Sequence, residues 1–152
     1  MEFGNENNEG KLKKIIIILA ILVILLVALS IIRQKQNENF AGIMIEHKDQ
    51  IFKLSFDRFE KLNRENFVTL SGDEFQGIRI DKILEYFKID SSSIPKIKFI
   101  SRDGLRATIK KAEIEETYLV LKEKNNEQYF RLIIPEDEFK QRWIKYVSKI
   151  EL

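Results

Sequence analysis

The chain has 152 residues, with Lys+Arg 26 against Asp+Glu 24, a formal net charge of +2 and no cysteine. That balance leaves no electrostatic footprint for nucleic acid, and the missing thiols exclude disulfides, thiolate metal sites and cysteine nucleophiles together. A single histidine leaves almost no material for a zinc or haem site.

Residues 1–14 are polar, show no ordering pattern over the first ten, and end in Lys11, Lys13 and Lys14. Residues 15–32 then read IIIILAILVILLVALSII, with Ser30 the only polar side chain. At about 1.5 Å per residue this run approaches the ~30 Å hydrocarbon core of a bilayer, so a single transmembrane helix in contact with lipid is expected over 15–32. A cleaved signal peptide is the alternative. Against it, the run exceeds the usual ~7–15-residue apolar region, and Ala28-Leu29-Ser30 makes a poor cleavage site. The lysines before the span outweigh Arg33 and Lys35 after it. This bias places the N-terminus in the cytoplasm and the rest outside, with the reverse orientation as the alternative. Residues 33–39 (RQKQNEN) read as a hydrophilic tether, and residues 40–152 are long enough for one domain with its own core.

Within that domain, GIMIE and QIFKL read as two strands joined by a charged turn at His47-Lys48-Asp49. SFDRFEKL has Phe56, Phe59 and Leu62 at helical spacing, with Ser55 as N-cap. Asn66 to Ser71 reads as a strand. Ile80, Ile83, Leu84 and Phe87 then mark one apolar helical face. KIKFIS and the alternation of Leu105, Ala107 and Ile109 suggest a hairpin around a two-residue Asp103-Gly104 loop. Lys111–Glu116 is a short helical candidate, and Tyr118–Leu121 and Tyr129–Ile134 are strands around an Asn125-Asn126 turn. Glu136–Glu138 suit a helix start, and Trp143–Leu152 alternates like a closing strand. Short strands with small helices between them indicate an α+β domain.

No residue pattern in this domain specifies a reaction. His47 lies in a charged turn, where a surface histidine is the simplest reading. Gly72, Gly77 and Gly104 are isolated, so no phosphate loop is present. The acidic runs Glu113, Glu115, Glu116 and Glu136–Glu138 lack the ligand spacing of a calcium loop. Arg79, Arg102, Arg106, Arg131 and Arg142 stand near turns and offer forked donors for anions, although a soluble mixed-charge surface is the commoner reason for such residues.

The order of the pieces resembles the oxidoreductase molybdopterin-binding domain, the sulfite-oxidase-like fold, over roughly Leu54 to Leu152. The resemblance rests on a colinear series. Gly77 to Ile80 with Ile83-Leu84 match a G-x-x-L helix start. Ser101, Asp103, Gly104 and Leu105 match an S-x-D-G-aromatic turn imperfectly. Arg131 to Pro135 match an R-L-hydrophobic-hydrophobic-P strand, and Arg142-Trp143-Ile144 with Ile150 to Leu152 match the closing strand. By this resemblance Arg131 stands at the arginine near the oxyanion site and Arg142 at a lysine near the pterin phosphate. These two are the candidate cofactor-binding residues, with molybdopterin the cofactor implied. The departures are as telling. The family's molybdenum-ligating cysteine is absent, Gly72 to Gln76 leaves little room for its loop, and Asn-Glu-Gln-Tyr replaces a Gly-x-Pro. A soft thiolate suits such a metal centre and nothing here substitutes for it. The expectation is therefore a non-catalytic domain with no cofactor or metal, anchored in the cell membrane and serving an envelope protein partner. A redox accessory that still binds molybdopterin or another anionic cofactor is the alternative.

Overall fold

The computed structural model describes the backbone of residues 6–38 and 40–152, and the side chains of residues 13–30 and 40–152. The chain divides into two units, residues 1–40 and residues 41–152. The first is a single helix, α1 (Glu6–Glu38), whose stretch Lys13–Ser30 is long and apolar enough to cross a membrane. Its ends differ from the sequence reading. Residues 6–10 and the supposed tether, 33–38, are both helical, while residues 1–5 and 39 lie outside the described residues. The run RQKQNE consists mostly of good helix formers, and extending a helix that already exists avoids the cost of nucleation.

The second unit is mixed α+β, as expected, and its strands form two sheets. The first holds β1 (Gly42–His47), β2 (Gln50–Ser55), β5 (Lys96–Ser101), β6 (Arg106–Lys110) and β9 (Val147–Glu151), in the order β2-β1-β9-β5-β6. β1 and β9 run parallel, and the whole intervening chain is their crossover. The second sheet holds β3 (Glu65–Val68), β4 (Glu74–Arg79), β7 (Tyr118–Lys124) and β8 (Glu127–Ile133), in the order β3-β4-β7-β8.

Period-two alternation sends Ile43, Ile45, Leu54, Phe99, Ile109 and Ile150 of the first sheet into the core, and Ile78, Leu119, Phe130 and Leu132 of the second. All belong to one apolar cluster. Two short helices complete it. α2 (Phe56–Glu60) is capped by the Ser55 hydroxyl, which accepts from the Arg58 N–H, and buries Phe59 against Phe130 at 4.9 Å. α3 (Ile80–Tyr86) buries Ile80, Ile83 and Leu84. Lys111–Glu116 is a 3₁₀ turn.

Several local expectations change. β4 was not foreseen, because Glu74, Gly77 and Arg79 blur its alternation. The β5–β6 connection is a three-residue loop, Arg102 to Gly104. The Ser101 N–H bonds the Leu105 carbonyl at 3.0 Å, and Gly104 takes φ +85. Leu105 follows that turn and is 55% exposed, outside the core-facing set. Glu136–Glu138 form turns rather than a helix, since Asp137 is drawn to Arg142. His47 ends β1 instead of sitting in the turn, where Lys48 carries the positive φ.

Candidate functional site

Both candidate arginines stand around the segment that returns from β8 to β9. Arg131 lies on β8 between Phe130 and Leu132, which point into the core, so its own side chain takes the opposite face. The returning chain pairs along the edge of β8 that β7 leaves open. The Leu132 N–H bonds the Ile144 carbonyl at 2.9 Å, the backbones of Arg131 and Lys145 form an isolated antiparallel β-bridge, and the indole N–H of Trp143 donates to the Ile134 carbonyl at 2.8 Å.

Trp143 collects cations. The Arg131 guanidinium carbon lies 5.5 Å from its ring centre and Lys140 Nζ 5.0 Å. Phe75 meets the indole edge-on at 5.9 Å and carries Lys122 Nζ at 4.9 Å on its own ring. Among the described residues, the carboxylate joined to this group is Asp73, which binds Lys140. The Lys140 ammonium first, and the Ser71 hydroxyl second, hold its carboxyl below the usual range. Arg131 Nε is buried with no hydrogen-bond partner. Lys122, Lys140 and Asp73 carry no local signal in the sequence. They come from separate strands and loops and meet only in the fold.

Arg142 does something else. Its Nε and Nη2 form a fork onto Asp137, and Nη1 reaches Glu113 at 2.7 Å. Burial works against the Glu113 carboxylate, yet the Lys110 backbone N–H and Arg142 together hold it below its ordinary value. The Arg142 guanidinium is in turn held more firmly protonated, chiefly by Asp137. The two arginines therefore share no partner: Arg131 turns to Trp143, and Arg142 pins the returning loop to the 3₁₀ turn.

Two of the remaining arginines are accounted for by ordinary contacts, while Arg106 is exposed. Arg79 pairs with Glu65 at 3.4 Å and Asp81 at 3.1 Å, and Arg102 pairs with Glu127 at 2.8 Å. Glu115, Glu116, Glu136 and Glu138 are exposed. Among the described residues, no group of three His, Asp or Glu side chains could hold a metal ion. With no thiolate in the sequence and Arg142 occupied by two carboxylates, the donor set does not fit a molybdenum-pterin centre. A scan against models of protein families finds no match, and a search of the curated proteins finds none either.

Proposed function

We propose that this chain is a single-pass membrane protein with its N-terminus in the cytoplasm, and that its domain is a sulfite-oxidase-like module without redox activity. Outside the cell that domain binds an envelope protein or a small ligand. One observation carries the loss of activity: Arg142, matched by resemblance to a residue at the pterin phosphate, is spent on Asp137 and Glu113. An anion bound there would have to displace carboxylates already in charge-assisted contact. The apolar stretch Lys13–Ser30 supports the anchor.

The test is the molybdenum and pterin content of the full-length protein, purified in detergent from its own host. The expected result is neither metal nor pterin, with a reproducible protein partner after cross-linking in the membrane. Near-stoichiometric pterin would overturn the reading.

Arg131 favours a second reading, in which an anionic cofactor is kept and the domain is a redox accessory. Its buried Nε has no partner, and its guanidinium lies beside Trp143 rather than on a carboxylate. On that reading Arg131→Ala and Arg142→Ala both lower cofactor content, and unchanged content in both removes it.

A further inference from the structure

The strand register of the first sheet places its outer side chains in rows. One row reads Lys53, Met44, Lys149, Ile100, Arg106 from edge to edge, and carries no carboxylate. The next reads Ile51, Glu46, Glu151, Lys98, Thr108, and beyond it Lys96 stands directly opposite Lys110. The two carboxylates are already matched within the face: Lys149 binds Glu46 at 2.9 Å and Glu151 at 3.0 Å, and Lys98 binds Glu151 at 2.8 Å. Positive charge is therefore in excess here, although the chain as a whole is close to neutral at +2. Like charges directly opposed, as at Lys96 and Lys110, work against the sheet. Neither that pair nor Arg106 has an ion-pair partner among the described residues, and all three side chains are exposed.

We infer that this face docks on the anionic phospholipid headgroups of the bilayer that holds α1. The inference rests on the reading that α1 crosses a membrane. Three features select a lipid surface over an acidic protein. A five-stranded sheet is about 20 Å wide, enough to lay several basic side chains on a bilayer surface at once. Met44 and Ile100 stand between basic residues and Ile51 at the sheet edge, the mixture that sits at a headgroup boundary while lysine stems extend toward phosphate. Finally, residues 39–41 alone separate α1 from β1, and β1 belongs to this sheet. At ~3.5 Å per residue, so short a connection keeps the domain within reach of the headgroups. Basic groups this close to an anionic leaflet are attracted over about a Debye length.

The experiment uses the full chain reconstituted in vesicles of phosphatidylcholine alone or with about one third phosphatidylglycerol. Lysine acylation is followed residue by residue by mass spectrometry. Lys96 and Lys110 are expected to label at least threefold more slowly in the anionic vesicles, while Lys88 and Lys124, on other elements, keep their rates. The protection should vanish at 1 M salt, where the Debye length is ~3 Å. Lys96→Glu with Lys110→Glu should return Lys98 and Lys149 to their rates in neutral vesicles. Equal labelling in both lipids, with the protein still floating with the vesicles, overturns the docking and leaves the face to an acidic protein. Failure to float with either vesicle overturns the anchor itself.

Discussion

Arg142 illustrates how one side chain serves a loop that has no regular structure of its own. The segment from Pro135 to Tyr146 makes no helix and one isolated bridge, so its course depends on side chains. Arg142→Ala leaves Asp137 and Glu113 facing each other without a cation. Because the arginine is 36% exposed, solvent screening limits the loss to about 1 kcal/mol. Chemical denaturation should read that loss, and Arg142→Lys should recover only part of it, since an ammonium cannot reproduce the fork. Glu151 gives the corresponding prediction for pH. Hydrogen bonds from Lys98 and then Lys149 bring its carboxyl down to about 2, below the ~4.3 of an unfolded chain. Its stabilisation is therefore complete above that unfolded value and is lost as pH falls toward 2. Thermal unfolding followed from about pH 6 to pH 2 should show a shallower acid limb in Glu151→Gln than in the parent.

At the scale of elements, two hairpins repeat one design. In each, the residue that opens the turn donates its N–H to the carbonyl four residues on, Thr69 to Asp73 and Ser101 to Leu105. The glycine N–H returns to the first carbonyl, and Gly72 and Gly104 take φ +81 and +85. The Thr69 and Ser101 hydroxyls also reach the closing carbonyl, each at 3.3 Å. The Asp-Gly pair made the second hairpin legible in the sequence. The first has the same hydroxyl and glycine in TLSGD but went unread, because β4 lacks clean alternation. Where periodicity was strong, as in α3 and β7–β8, element type followed directly. The site was less legible. Arg131 and Arg142 stand out only through the resemblance, and their contacts with Trp143, Asp137 and Glu113 answer to tertiary folding, which no local spacing encodes. The glycines divide in the same way. Gly72→Ala and Gly104→Ala meet open space and should each cost about 1 kcal/mol for the left-handed backbone alone. Gly77 has no such conformation, yet a Cβ there would stand 2.8 Å from the Leu119 carbonyl and 2.9 Å from Val120 Cγ2. Gly77→Ala should therefore cost about 2 kcal/mol as overpacking, and urea unfolding of the three variants would separate the causes.

For the whole molecule, the deciding question is whether α1 stays on the chain. An apolar segment near an N-terminus suits an anchor and a cleaved signal alike. Signal cleavage needs a short apolar region ending in an accessible small-x-small site, and here Ala28-Leu29-Ser30 lies inside a helix that continues to Glu38. A helix of 33 residues is about 50 Å long, enough to cross the hydrocarbon core and carry its polar ends beyond it. Among the described residues, every member of the domain's apolar cluster falls between Ile43 and Leu152. Two measurements on protein from its native membrane follow. Peptides from residues 1–14 should be recovered from the mature protein by mass spectrometry, and the protein should resist alkaline carbonate extraction. A species beginning near Ile31 would show a cleaved signal, and the same domain would then have to find its membrane, if it has one, through the face of its first sheet alone.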